Sequence, residues 1–199
     1  FPCYTIAEAG ANHDGELNKA IKLIDAANDA KSDSIKFQTY DASKLASKYS
    51  PKYWIDDKPD ETQYEVFSNL DGLSNDNWKE IFEYAKSKSI TCFSTPFDEK
   101  SVDLLYSLEV PAFKIASADI THIPLIKHIA SKKLPIFIST GMASDDETKE
   151  AIEAIEQLGI IQPITVRKIN FKSYQIISGE RRFRAVSFLK IKFEAKNYF

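Results

Sequence analysis

A repeating pattern constrains the fold of this chain most: short apolar segments alternate with amphipathic segments of helical periodicity through residues 1–158. The predicted strands begin at Tyr4 and continue at residues 34–38, 90–94, 112–116 and 135–138. The predicted helices follow them at residues 17–30, 75–88, 98–108, 124–130 and 145–158. About five βα units in succession predict an α/β fold, in which helices cover a parallel sheet.

Polar side chains recur where these predicted strands end, and they decide between two ways of closing the sheet. The residues are Glu8, Lys36, Ser94 with Thr95, Lys114 with Ser117, and Ser139 with Thr140. An open, doubly wound nucleotide-binding sheet would carry a GxGxxG fingerprint after its first strand, and GANHDG lacks that spacing. Polar residues at the end of every strand instead favour the mouth of a TIM (β/α)8-type barrel.

The connections carry fewer signals than the strands. Asp14 and Asp98 are predicted to cap the first and third helices, and Pro124 is tolerated in the first turn of the fourth. Residues 40–76 are long, polar and irregular but rich in aromatic side chains, which predicts a lid or a packing flap.

Composition indicates a globular chain and gives no sign of a membrane partner. Of 199 residues, 43% are hydrophobic, and no apolar run approaches the roughly 20 residues that cross a bilayer. The two cysteines, Cys3 and Cys92, fall in predicted strands and are interpreted as reduced core thiols, with a disulfide as the lesser alternative. We therefore predict a cytoplasmic protein.

Two strand lysines and a ring of hydroxyls suggest a receptor for a small phosphorylated anion. Ammonium groups neutralise such an anion, hydroxyls donate hydrogen bonds to it, and a nearby carboxylate can serve as acid or base. Lys114 also fits a Schiff-base nucleophile, as in barrel aldolases, if its amine is desolvated. Each serine or threonine taken alone also fits a cap or a turn residue, so the residues leave these alternatives open.

Several segments, in their order and spacing, closely resemble the N-terminal part of the sialic acid synthase (N-acetylneuraminate synthase) family over residues 4–159. They are IAEAGANHDG, IKFQTY, FSTPFD, FKIASADI, PLIKHIA and PIFISTGMAS. The resemblance implies a (β/α)8 barrel that condenses phosphoenolpyruvate with N-acetylmannosamine or a related amino sugar and releases phosphate. It also implies a homodimer and a divalent metal, manganese or magnesium.

The same resemblance implies roles for individual residues. Glu8 corresponds to the catalytic acidic position, and Asp119 stands where a second acidic residue is expected to meet the sugar or the developing charge. The phosphoenolpyruvate-binding positions are Lys36, Thr95, Lys114, Ser117 and Ser139.

The resemblance stops near Gly159, so residues 1–158 are predicted to form an incomplete TIM barrel. The family would continue with three more βα units, which carry the metal-binding histidines, and with a small antifreeze-like domain. None of His13, His122 and His128 fits that ligand set, so no metal ligand is assigned here. We expect this chain alone to be inactive for lack of those ligands.

Residues 159–199 form a short tail that is predominantly basic, although the net charge of the chain is −3. Its segments IIQPITVRK and GERRFRA resemble the N-terminal, CTP-binding domain of the ParB family, which predicts a small α+β fragment. By that resemblance Gly179, Glu180, Arg181, Arg182 and Arg184 would bind nucleotide phosphates. The plainer alternative is a basic, solvated helix.

The tail leaves two further functions open beside the synthase. One is a ParB-like nucleotide- or DNA-associated protein, although a nucleic-acid partner is not expected. The other is a non-catalytic fusion fragment. We also predict that residues 164–167 form a strand that takes the sixth position of the barrel, next to residues 136–139.

Overall fold

The computed structural model describes residues 3–56, 58, 60–156, 165–170 and 173–178, the last two ranges as backbone only. Five parallel strands form one sheet in the order of the chain. They are β1 Ile6–Gly10, β2 Ser34–Thr39, β3 Thr91–Pro96, β4 Phe113–Ile115 and β5 Ile136–Ile138. The helices are α1 Leu17–Asp29, α2 Ala42–Leu45, α3 Gln63–Leu70, α4 Asn75–Ser87, α5 Glu99–Ser107, α6 Ile123–Ser131 and α7 Asp145–Glu156, with a 3-10 turn at Ser117–Asp119.

The strand order confirms the α/β prediction and decides between the two closures. A doubly wound sheet reverses its order at a switch point, whereas this sheet runs from β1 to β5 without reversal. Because parallel crossovers are right-handed, an unreversed order places the connecting helices on one face of the sheet. The other face is then free to become the inside of a barrel wall.

Side chains alternate between these two faces along each strand. Ile35 and Phe37 on β2, and Phe113 and Ile115 on β4, are at most 1% exposed and belong to two apolar clusters shared with the helices. Apolar residues of α1 and α4 pack in the first cluster, and those of α5, α6 and α7 in the second. Burial of these side chains provides the main driving force that holds the helices on the sheet.

The segment at residues 40–76 is more regular than predicted, since it contains α2 and α3. Thr62 and Glu65 form a reciprocal capping box at the start of α3, a local signal of a helix start. Before it, the amine of Lys52 lies between the carboxylates of Asp56 and Glu61, with only 4% of the lysine side chain exposed. These contacts favour the packing-flap interpretation of this segment.

One predicted helix cap is confirmed and the other is wrong. Asp98 caps α5 by accepting a hydrogen bond from Ser101 N, and it also accepts one from Asp41 N. Asp14 does not cap α1, because its backbone is left-handed (φ 50°) and the helix begins after Glu16. Its carboxylate pairs instead with Lys19, at 2.9 Å.

The two cysteines differ in their surroundings. Cys92 lies buried in β3 as predicted, whereas Cys3 precedes β1 and is exposed, so its placement in a strand was wrong. Both are free thiols. Within the described part of the chain, no helix is long and apolar enough to cross a membrane.

Two further strands, β6 (Thr165–Asn170) and β7 (Ser173–Ser178), pair with each other in an antiparallel sheet of their own. The prediction that residues 164–167 complete the barrel wall beside β5 is therefore wrong. Neighbouring strands separated by two residues pair at a small entropic cost of loop closure. The GERRFRA residues Gly179 to Ala185 lie outside the described residues, so the ParB resemblance stays a prediction.

Candidate active site

The strand register brings four of the predicted site residues onto the inner face of the sheet. Glu8 on β1 lies directly opposite Lys36 on β2. Thr95 on β3 shares that face, because its neighbour in the register, Gln38, lies two residues beyond Lys36. Lys114 on β4 points away from the apolar cluster that contains Phe113 and Ile115, so it also faces inward. The sequence predicts Glu8 and Lys36 at the ends of their strands, whereas the structure places both within them.

Lys36 lies at the centre of this group and is only 8% exposed. Its Nζ is 2.6 Å from Glu8 Oε2 and donates a hydrogen bond to Thr95 Oγ1 at 3.2 Å. A buried ammonium is costly unless it is paired, and here one carboxylate and one hydroxyl satisfy it. The pair leaves Glu8 half open to solvent, with 55% of its side chain exposed.

Lys114 is half-buried, and its Nζ donates a hydrogen bond to the Ile115 carbonyl oxygen at 2.5 Å. Burial is the main cause that lowers the pKa of Lys114, and the nearby charge of Lys36 lowers it further, to about 8. Glu8 and Asp119 act in the opposite direction. The site thus holds two amines that repel each other, which is the electrostatic arrangement of an anion receptor.

Asp119 and Ser117 lie on the 3-10 turn that follows β4. Burial raises the pKa of the Asp119 carboxyl, and its Oδ2 has no hydrogen-bond partner among the described residues. Ser117 reaches the turn after β5, since a Cβ built on Gly141 would lie 3.8 Å from Ser117 Oγ. Ser139 follows β5 directly and donates its backbone N–H to the Ile115 carbonyl at 3.1 Å.

Sequence reasoning missed Gln38, which lies on the inner face beyond Lys36. The register of β1 shifts between Glu8 and Gly10, and Gly10 has a left-handed backbone (φ 55°). A Cβ on Gly10 would lie at ordinary contact distance, 3.5 Å from Glu8 Oε1 and 3.9 Å from Gln38 Cδ, so the left-handed backbone rather than space favours glycine here, and Gln38 lies near Glu8. Strand periodicity could have identified Gln38, because it follows Lys36 by two residues.

The described residues do not by themselves form a metal site. Nowhere in that part of the chain do three His, Cys, Asp or Glu side chains come together to hold an ion. The carboxylate of Glu8 is already paired with Lys36. The chemistry that these side chains support is anion binding and proton transfer.

Comparison with known proteins identifies the family of the chain. The NeuB family matches residues 23–194 of the chain. The N,N'-diacetyllegionaminic acid synthase of Legionella pneumophila is 43% identical over 195 residues, which cover 89% of this chain and 54% of that protein. Human N-acetylneuraminate-9-phosphate synthase is 33% identical over 162 residues, which cover 79% of this chain and 44% of that protein.

A solved structure agrees with the fold. The N-acetylneuraminic acid synthetase of Leptospira borgpetersenii, crystallised in complex with citrate, superimposes with a TM-score of 0.69 at 31% identity. The match covers 79% of this chain and 51% of that one, and this chain spans about half the length of the curated relatives it matches. The family match includes most of the chain and extends over β2 to β5 of the sheet. The chain therefore belongs to the NeuB family.

Proposed function

We propose that this protein condenses phosphoenolpyruvate with an amino-sugar aldehyde to form a nonulosonic acid and releases inorganic phosphate. The observation that carries the proposal is the pair of inward-facing amines, Lys36 and Lys114, beside the carboxylate of Glu8. The relatives are synthases of legionaminic acid and of N-acetylneuraminate 9-phosphate, which are products of this class. In the reaction, the phosphoenolpyruvate methylene carbon bonds to the aldehyde carbon, water adds to the neighbouring carbon and phosphate leaves.

The two lysines bind the anion in this proposal. Phosphoenolpyruvate carries a carboxylate and a phosphate, and two separate ammonium groups match that charge distribution. The Thr95 hydroxyl already accepts a hydrogen bond from Lys36 Nζ, so it lies beside the ammonium group that binds the ligand. Ser117 and Ser139 lie around the ends of β4 and β5, where their hydroxyls can donate to the remaining oxygens.

The two carboxyl groups have different surroundings and therefore different tasks. Glu8 is ion-paired and half exposed, so it can hold a hydroxyl or a water at the solvent side of the site. Asp119 is half-buried with a raised pKa and an unpartnered oxygen, so it is suited to hold a proton and donate it to the sugar. Once it has given up that proton, the Asp119 carboxylate also lowers the cost of protonating Lys114.

The relatives differ in their acceptor sugar, so the assay must offer more than one. We expect phosphate release from phosphoenolpyruvate to depend on N-acetylmannosamine or on its diacetamido analogue, with manganese or magnesium present. This chain spans about half the length of its relatives. The assay therefore uses a hybrid protein, in which residues 1–156 replace the matching half of the Legionella synthase. Phosphate release in the absence of any sugar would contradict the proposal. A folded graft that releases no phosphate would contradict it as well. A folded graft also allows the homodimer to be tested by light scattering.

A second candidate chemistry is a Schiff base at Lys114, favoured by its lowered pKa. A pKa of about 8 leaves a fraction of neutral amine at neutral pH. Borohydride reduction in the presence of pyruvate separates the two, because only an imine is trapped as a stable adduct on the lysine. We expect no adduct, since the Lys114 amine donates a hydrogen bond to the Ile115 carbonyl oxygen. A mass shift mapped to Lys114 would favour the aldolase chemistry instead.

A further inference from the structure

Two phenylalanine rings meet on the inner face of the sheet, beside the lysines of the candidate site. The ring centroids of Phe93 on β3 and Phe137 on β5 are 5.8 Å apart, with an interplanar angle of 34°. That separation lies in the range of favourable aromatic contact. Neither ring belongs to the two apolar clusters shared with the helices, although their chain neighbours Cys92, Ile136 and Ile138 do. The two rings therefore pack against each other on the opposite side of the sheet from the helices.

The strand register places one of these rings beside each lysine. Lys36 lies directly opposite Phe93, and Lys114 lies directly opposite Phe137. Paired residues of neighbouring strands point to the same face of a sheet, and their backbones lie about 4.8 Å apart. Each lysine stem thus has an aromatic neighbour on the inner face.

A small residue on the intervening strand allows the two rings to touch. β4 lies between β3 and β5 in the sheet, and Ser94 pairs there with Phe113. The residues just before that pair, Phe93 and Ala112, are therefore neighbours as well. Alanine presents only a methyl group, so the rings can approach each other above β4. Phe93 is 3% exposed, whereas Phe137, on the edge strand, is 46% exposed.

We propose that Phe93 and Phe137 form an aromatic floor that shields the Lys114 amine from water, with Phe137 as the positioning residue for that amine. Lys114 Nζ donates a hydrogen bond to the carbonyl oxygen of Ile115, so the amine lies against the sheet instead of extending into solvent. Apolar carbon beside the amine replaces water there and disfavours the charged form. Burial is the first cause of the lowered pKa of Lys114, ahead of the charge of Lys36.

The charged groups that face Lys114 come from other elements than the floor. Lys36 on β2 disfavours the charge of Lys114, whereas Glu8 on β1 and Asp119 on the turn after β4 favour it. β3 and β5, which carry the two rings, contribute no charged side chain. The floor therefore acts on the protonation of Lys114 through desolvation and not through charge.

The effect of the floor on a ligand rests on the proposed function. An amine from which water is excluded on one side interacts more strongly with an anion on its other side, because the local dielectric constant is lower. The bound anion then restores the charge that desolvation disfavours in the free protein. Phe137 would thus make anion binding and protonation of Lys114 more strongly coupled than they are on an open surface.

Titration of the whole chain by NMR tests the floor without any ligand, so the floor and the proposed function can fail separately. Carbon-13-labelled lysine side chains are followed through neutral and alkaline pH, and the Lys114 signal is the one that Lys114→Arg lacks. Replacing Phe137 with Ala admits water to the amine. We expect the midpoint of the Lys114 titration to rise by about one pH unit, which is about a tenfold gain in proton affinity. Phe137→Leu keeps an apolar cover and is expected to stay close to the wild-type midpoint.

Tyr106→Ala is the matched control, because Tyr106 is 48% exposed, as Phe137 nearly is, but lies on α5 away from the inner face. We expect it to leave the midpoint unchanged. An unchanged midpoint in folded Phe137→Ala would overturn the proposal, as would an equal rise in Phe137→Leu or in Tyr106→Ala. The wild-type chain decides if Phe137→Ala does not fold. Its Lys114 side-chain protons are expected to show nuclear Overhauser contacts to the Phe137 ring, and their absence would also overturn the proposal.

Discussion

Replacing Lys36 with Met is expected to weaken phosphoenolpyruvate binding about 100-fold, because it removes a charge-assisted contact and leaves the Glu8 carboxylate to repel the ligand. Methionine retains the length and apolar character of the lysine stem, so the packing of β2 is preserved. Titration calorimetry on the wild-type chain and the variant measures the change directly.

The same substitution at Lys127 is the control for loss of one positive charge. Lys127 lies exposed on α6, away from the inner face of the sheet, and its replacement with Met is expected to leave affinity within a factor of about two. An equal loss of affinity in both variants would indicate nonspecific electrostatic attraction. It would show that Lys36 does not contact the bound anion. Full affinity in folded Lys36→Met would have the same meaning.

Binding of phosphoenolpyruvate is also expected to weaken as the pH rises above 8, through Lys114. In the free protein the lowered pKa of Lys114, about 8, leaves the amine neutral above that pH. A bound anion stabilises the ammonium, so the pKa rises in the complex and binding takes up a proton. Affinity therefore falls by at most about tenfold per pH unit above pH 8 and is independent of this group well below it.

Calorimetry in buffers with different ionisation enthalpies measures the proton uptake, which should approach one proton per ligand at the upper end of this pH range. Replacing Lys114 with Arg supplies the control, because a guanidinium stays charged throughout and its binding should not vary with pH. Binding by the wild-type chain without proton uptake would show that Lys114 does not meet the ligand.

The same lowered pKa has a consequence for the stability of the empty protein. Between the pKa of Lys114 in the folded chain, about 8, and its ordinary value of 10.5, the unfolded state binds more protons. This group's contribution to the free energy of unfolding thus rises with pH through that window and is lost as the pH falls through 8. The positive charge that recruits an anion therefore disfavours the empty fold at neutral pH.

Local patterns in the sequence were enough to predict some elements and failed for others. The strands and most helices were found because apolar periodicity is a local property. Asp98 was found as a cap for the same reason, since it bonds to Ser101 three residues away. Asp14 failed because the adjoining turn, with Gly15 pressed against Gly72, sets the start of α1. That contact joins distant parts of the chain and has no local signature.

The sequence by itself determined the succession of βα units, the predicted site residues and, through its motifs, the resemblance to sialic acid synthases. Only the tertiary structure decided that Glu8 lies opposite Lys36, that Lys114 is buried enough to lower its pKa, and that the strands keep their chain order. The physical reason is that register, burial and charge proximity arise from contacts between residues far apart in the chain, whereas periodicity and caps arise from neighbours.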